Sequence, residues 1–332
     1  MERGYRTRWT VCLTILLFVF TLGGGGTLVF GAEKYPEKPV NAIIGYAAGG
    51  APDLVFRPLA EIAQKYLGAP IVILNKAGGG GVSGSLEVAK ARPDGYTLLL
   101  NFGGGEHLLF PHLEKPPFDT LADFDPVIML SYYPSGLFVK ADSPWKTLEE
   151  FTEYAKKKPG ELRYSHPGTA SMINLANVTY QKIAGIRLSA IPTGGGVPAM
   201  NMLLGGHVEA AQLGVPVAWP QVEGGQIRCL AYSLPKRTEM YPGSPTYAEK
   251  GFDIRFAVNQ GIAAPKGTPK EIIQKLHDAF ARAFQDKEFQ EVLGKVKFTP
   301  NYLNTEDTAK YIKEMYQYYG EVVKKFGITL EK

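Results

Sequence analysis

The chain has 332 residues, 45% of them hydrophobic and 20% charged, which is enough apolar mass for a packed core and points to two domains. A net charge of +4, with no basic run interleaved with aromatics, excludes the footprint of a nucleic-acid binder. Beyond the first 32 residues no stretch is long and apolar enough to span a membrane.

The chain opens like a secretory leader. Arg3, Arg6 and Arg8 precede the apolar run Trp9 to Leu22, and small residues at Gly31 and Ala32 mark a cut near position 32. Phe30 is bulky for the third position before such a cut, so the cleavage motif is imperfect. Removing residues 1–32 takes away three arginines and one glutamate and leaves a net +2. Cys12 lies in the leader, so Cys229 is alone in the mature chain and reads as a small buried hydrophobe.

Val40 to Ile44 reads as a buried strand that breaks into Gly45-Tyr46-Ala47-Ala48-Gly49-Gly50 and restarts as a helix capped by Asp53. Such a joint leaves backbone N–H groups unpaired at the helix start, where the helix dipole favours an anion. Apolar residues at Val55, Leu59, Ile62 and Leu67 give the helix its buried face, and Gly68 ends it. The design recurs. Ile71 to Leu74 leads into Asn75 to Gly81, then a helix from Ser83 to Ala91. After the Pro93-Asp94-Gly95 turn, Tyr96 to Asn101 leads into Phe102-Gly103-Gly104-Gly105. Successive strand, glycine turn and helix units give a parallel, doubly wound sheet with its ligand at the strand C-termini.

Val127 to Ser131 and Gly136 to Val139 flank Tyr132 to Ser135, which reads as a first crossing into a second domain. That domain repeats the design, with turns at His166 to Ala170 and Pro192 to Gly196 and helices from Ser171 and Val197. Thr147 to Glu150 and Thr246 to Glu249 are capping boxes. A second crossing falls within Phe252 to Ala264. Thr268-Pro269 starts a helix burying Ile272, Ile273, Leu276, Phe280 and Phe284, and a last helix begins near Thr305; both are expected to clamp onto the first domain.

Gly79-x-Gly81-x-x-Gly84 formally matches a dinucleotide fingerprint, but residues 75–78 separate it from its strand and no acidic residue ends the next strand. No cofactor and no metal are expected. The five histidines, His107, His112, His166, His207 and His277, have no metal-ligand spacing, and the adjacent Ser165-His166 is no catalytic triad. An enzyme ranks below a binding protein.

The motifs Tyr35-Pro36-x-Lys38-Pro39, Ala47-Ala48-Gly49-Gly50 with Asp53, Pro93-Asp94-Gly95-Tyr96-Thr97-Leu98, Leu204-Gly205-Gly206-x-Val208-Glu209 and Ala264-Pro265-x-Gly267-Thr268-Pro269 occur in order along the mature chain. In these the sequence resembles the periplasmic solute-binding proteins of tripartite tricarboxylate transporters, the Bug family. The resemblance implies an α/β, two-lobed, type II Venus-flytrap fold, each lobe a mainly parallel sheet flanked by helices. Lobe 1 would comprise 33–134 plus 254–332, and lobe 2 135–253. It also implies capture of a small organic carboxylate between the lobes for delivery to membrane subunits. A periplasmic monomer without nucleic acid is expected; a sensory role for the same clamshell is the alternative.

By position, the ligand loops would supply Tyr46, Ala48, Gly49, Gly50, Ala51 and Asp53; Phe102, Gly103, Gly104, Gly105 and His107; Ser165, His166, Thr169, Ala170, Ser171 and Asn174; and Thr193, Gly194 and Gly195. The chain departs from the family pattern at Pro52, Asn174, Thr193-Gly194 and Leu213-Gly214, where hydroxyl, His, Tyr-Lys or polar residues are common. Few cations and few carboxylates line these loops. The expected ligand therefore lacks an amino group and has an apolar or aromatic body facing Tyr46, Phe102, Met172, Ile173 or Trp219, with at least two of these five serving only as core.

Overall fold

The computed structural model describes residues 35–329. The expected leader and its cleavage site lie outside them. Three parallel strands start the fold: β1 (Val40–Ile44), β2 (Ile71–Asn75) and β3 (Thr97–Phe102), in the order β2-β1-β3. Between them run α1 (Ala51–Leu67), α2 (Val82–Ala89) and, after β3, the single turn α3 (Gly105–Leu108). Val55, Leu59, Ile62 and Leu67 of α1 are buried as the period requires; each large aliphatic side chain so buried stabilises the fold by roughly 2 kcal/mol. Gly68, at φ 81°, ends α1 as expected.

The cap of α1 differs from expectation. The capping residue is Gly50, which offers no side chain, and Asp53 sits inside the first turn. The Asp53 carboxylate instead accepts from Arg57 at 2.6 Å and Asn75 at 3.1 Å, tying α1 to the end of β2.

The first crossing is one strand rather than two. β4 (Phe124–Lys140) runs unbroken for 17 residues through Tyr132–Ser135. From Phe124 to Pro134 it pairs antiparallel with β9 (Ala257–Pro265), and near Met129–Tyr132 with β10 (Thr299–Leu303). From Ser135 onward it pairs with β7 (Ala210–Gly214) and β8 (Ile227–Tyr232). The strand thus leaves one sheet and enters another at Pro134/Ser135. In the second sheet β5 (Arg163–His166) lies parallel between β6 (Ser189–Pro192) and β7. The architecture is the expected two-lobed α/β fold. β1, β2 and β3 are mutually parallel in the first sheet and β5, β6 and β7 in the second, while β4, β8, β9 and β10 pair antiparallel.

The second lobe carries α4 (Leu148–Lys157), α5 (Met172–Ala184), α6 (Gly196–Leu204) and α7 (Val215–Glu223). Both capping motifs hold. Thr147 accepts from Glu150 N, and Thr246 and Glu249 cap each other's N–H reciprocally. α8 (Lys270–Gln285) and α9 (Lys287–Lys295) pack on α1, and α10 (Thr305–Phe326) packs on β4, as the clamp onto the first lobe requires. α8 begins one residue later than expected, and Thr268 spends its hydroxyl on Pro265 O at 2.7 Å. α10 also touches α5, so it reaches the second lobe too.

Candidate functional site

Four helix starts converge on one cavity between the lobes. Gly50, Ala51 and Pro52 at the start of α1 line it, as do Ser171, Met172 and Ile173 at the start of α5, Gly196 opening α6, and Gly214 and Val217 at the start of α7. Each helix is at least 9 residues long, and α1, α6 and α7 have glycine caps without a side-chain hydrogen bond. Their first-turn N–H groups and dipoles therefore face the same space. Pro52, Pro198 and Pro216 each subtract one first-turn donor, from α1, α6 and α7. Ser171 caps α5 with its own hydroxyl, which accepts from Asn174 N at 3.2 Å and donates to Gly168 O at 2.7 Å.

The cavity measures about 30 Å³, the share of about one water in the liquid. It is small because the lobes touch around it. Ala47 N donates to Gly194 O at 3.2 Å. A Cβ on Gly80 would lie 2.8 Å from the N atoms of Ala170 and Ser171. Gly80 and Gly168 meet backbone to backbone, and Gly195 packs on Ala47. Among the described residues no lysine, arginine, histidine or carboxylate lines this space.

Behind the glycine turns lies a buried polar chain. Tyr46 donates to Gly80 O at 2.7 Å and lies 3.1 Å from Glu106 Oε2. Asn101, held at φ 60°, donates to Glu106 Oε1 at 2.8 Å. Glu106 has no exposure, and burial pushes its carboxyl up to about 8.

His107 packs behind this chain against Phe102, Phe118 and Phe124. Its Nε2 stands 3.1 Å from Ser85 Oγ, and Ser85 gives its own proton to Gly81 O at 2.9 Å. His107 is therefore the donor to Ser85. Burial pushes the imidazole down to about 3. Ser85, His107 and Glu106 have the residue types of a hydrolytic triad, but the serine proton points at a carbonyl and all three are fully buried, so no nucleophile is presented.

Of the residues expected at the site, Tyr46, Gly50, Ala51 and Ser171 line the cavity. Ala170, Gly105, Gly194 and Gly195 lie in the seam where the lobes touch, and Gly104 packs on Glu106. Ala48 and Gly49 are exposed. The rest are placed elsewhere. Asp53 is engaged by Arg57 and Asn75, Phe102 and His107 belong to the aromatic core, and Gly103 packs on Ile312 and Asn259. Ser165 donates to Ala199 O, and Thr193 bonds His166 O and Gly195 O. His166, Thr169 and Asn174 line a different hollow of about 440 Å³ beside Lys182 and Ile328. Of the five expected body-facing residues, Tyr46, Met172 and Ile173 line the cavity; Trp219 packs on Tyr241. Of the Gly49-Gly50 pair only Gly49 has a positive φ, 80°, and Gly50 has φ −74°.

Sequence reasoning passed over Asn101, Tyr133, Val217, Val258 and Gln260 as lining residues. Asn101 carried a usable signal, because asparagine before a glycine run is the residue type that tolerates positive φ. Gln260 carried none.

Residues 55–328 match the family described as "Tripartite tricarboxylate transporter family receptor". The chain belongs to that family. This receptor is 38% identical over 90% of each chain to the UPF0065 protein in the gbd 5' region of Cupriavidus necator, and 31% identical to BugT of Bordetella pertussis over 96% of this chain and 98% of BugT. Two solved structures share its fold. One is an adipate-bound R. palustris protein, with TM-score 0.82, 27% identity, and coverage of 89% of this chain and 99% of that one. The other is MatC of Rhodopseudomonas palustris with bound malate, with TM-score 0.80, 27% identity, and coverage of 87% and 100%. The receptor is a solute-binding protein and not an enzyme. Among its described residues no group of three or more His, Cys, Asp or Glu side chains could hold a metal, and no helix is long and apolar enough to cross a membrane.

Proposed function

We propose that the receptor captures a small organic carboxylate between its lobes in the periplasm, after removal of its leader near residue 32, and hands it as a monomer to the membrane subunits of a tripartite transporter. The observation that carries this is the convergence of four helix N-termini on a cavity with no cationic side chain. Backbone donors and dipoles replace the hydration of a carboxylate there. Tyr133, which also lines the cavity, adds a phenolic hydroxyl. The two related structures that hold adipate and malate support the same ligand class.

The lobes divide at Pro134/Ser135 and near residues 253–254. In support, β4 changes partners between these residues, and Ser233 ties the two crossings by accepting from Ser135 N at 3.0 Å and donating to Phe256 O at 2.5 Å. Lobes joined this way open and close about the ligand. Titration calorimetry of the mature protein against a panel of mono- and dicarboxylates tests the reading. One-to-one binding of at least one acid is expected, and silence across the panel contradicts it.

A further inference from the structure

Two lining residues have buried side-chain oxygens without a partner among the described residues, Asn101 Oδ1 and Gln260 Oε1. Asn101 is 2% exposed and Gln260 fully buried. Neither amide can be turned to offer its nitrogen instead. Gln260 Nε2 donates to the Asn259 carbonyl at 2.8 Å, an atom that only accepts. The orientation of Asn101 follows from the buried polar chain. Asn101 Nδ2 donates to Glu106 Oε1 at 2.8 Å, while Glu106 Oε2 accepts from the Tyr46 hydroxyl at 3.1 Å. Asn101 on β3 and Gln260 on β9 thus line the cavity from the first lobe, each with one buried acceptor unpaired among the described residues.

Unpaired buried acceptors are costly, and a ligand that pairs them is selected over one that does not. A carboxylate oxygen repels them. An ammonium would meet them without a counter-charge, because no ionised carboxylate lines the cavity. A neutral donor fits. Resting on the carboxylate reading above, we propose that the ligand is a hydroxylated carboxylate whose hydroxyl groups donate to Gln260 and Asn101, at most one to each oxygen. Gln260 is then the residue that selects hydroxy acids from their deoxy counterparts. The other lining residues are mainly apolar or offer backbone only, which suits a short carbon chain once the lobes part to admit it.

The test is calorimetry with acids that differ only in hydroxyl content: succinate, malate and tartrate on one skeleton, and butyrate with 2-, 3- and 4-hydroxybutyrate on another. The wild-type protein should prefer a hydroxy acid over its deoxy partner by about tenfold or more, and Gln260→Leu should bring that ratio near one while its melting curve stays cooperative. Gln260→Met serves if the leucine variant fails to fold, and the wild-type ratio stands without either. Equal binding within a pair overturns the proposal while leaving the carboxylate reading intact; it is the result expected if a retained water satisfies both oxygens. An unchanged preference in a folded Gln260 variant also overturns it, as does tighter binding of aspartate than of malate. Binding of none of these acids overturns it, and silence across the wider carboxylate panel removes the carboxylate reading as well.

Discussion

The Tyr46 hydroxyl stands 3.1 Å from Oε2 of Glu106 and donates to the Gly80 carbonyl at 2.7 Å. Burial beside this contact holds the Glu106 carboxyl up at about 8. Gly80 in turn meets Gly168, Ala170 and Ser171 of the second lobe, so the same polar chain supports the turn on which the lobes close.

A pH dependence follows from Glu106. Its carboxyl is raised from 4.5 to about 8 in the folded state by burial. Below about 4.5 both folded and unfolded chains hold the proton and the contribution to stability is complete; it is lost as pH rises through about 8. His107, lowered to about 3, acts oppositely and costs stability as pH falls below its ordinary 6.5. Comparing wild type with Glu106→Gln in urea at a series of pH values isolates the glutamate. The wild type should lose stability relative to the variant between pH 4.5 and 8, by on the order of a few kcal/mol. A pH-independent difference would show that Glu106 is ionised in the fold.

Tyr46→Phe removes the link between Gly80 and Glu106 without changing the volume of the ring. It leaves the Gly80 carbonyl and Glu106 Oε2 without their present partner. Unfolding free energy should fall by about 1–3 kcal/mol, and carboxylate affinity should fall with it. A variant as stable as wild type in denaturant titration would count against the polar chain.

Gly80→Ala tests lobe contact directly. Gly80 has φ 68°, and its added Cβ would stand 2.8 Å from two backbone nitrogens of the other lobe. The strain of the backbone alone is about 1 kcal/mol, but the clash exists only when the lobes are closed. The variant should scatter X-rays as a more open particle with saturating ligand and bind at least about tenfold more weakly. Unchanged scattering and affinity would mean that closure does not pass through this contact.

Ser233→Ala cuts the tie between the two crossings. Ser135 N and Phe256 O lose their partner in a buried setting. A stability loss of about 1–3 kcal/mol is expected, with a broader spread of lobe separations by small-angle scattering. A lower melting temperature without any change in that spread would make the tie structural only.

The strand–turn–helix units of both lobes were legible in the sequence because each pairs a period-coded apolar element with a glycine turn. The unbroken β4 was not. Tyr132 to Ser135 read as a crossing between two separate strands, yet Pro134 sits in register with Ala257 and Ser135 with Gly214, because one continuous strand changes sheets there. α7 was hidden by Pro216 and Pro220, one in its first turn and one inside it. β10 and α9 were passed over for want of a distinct pattern. At the site, loops predict proximity but not direction. His107 lies in a mouth loop and points into an aromatic core, and His166 lines the other hollow. Gln260 became visible only when its amide nitrogen was seen to be spent on Asn259 and its oxygen on nothing.

Native mass spectrometry of the protein released gently from the periplasm, without dialysis, bears most directly on carboxylate capture between the lobes. The expected spectrum shows one extra small mass per chain, released on unfolding, whose exact mass is that of a carboxylic acid. That mass should be absent or much depleted in Gly80→Ala. A bound amino acid, or an acid retained equally by the Gly80→Ala protein, would contradict capture in this cavity.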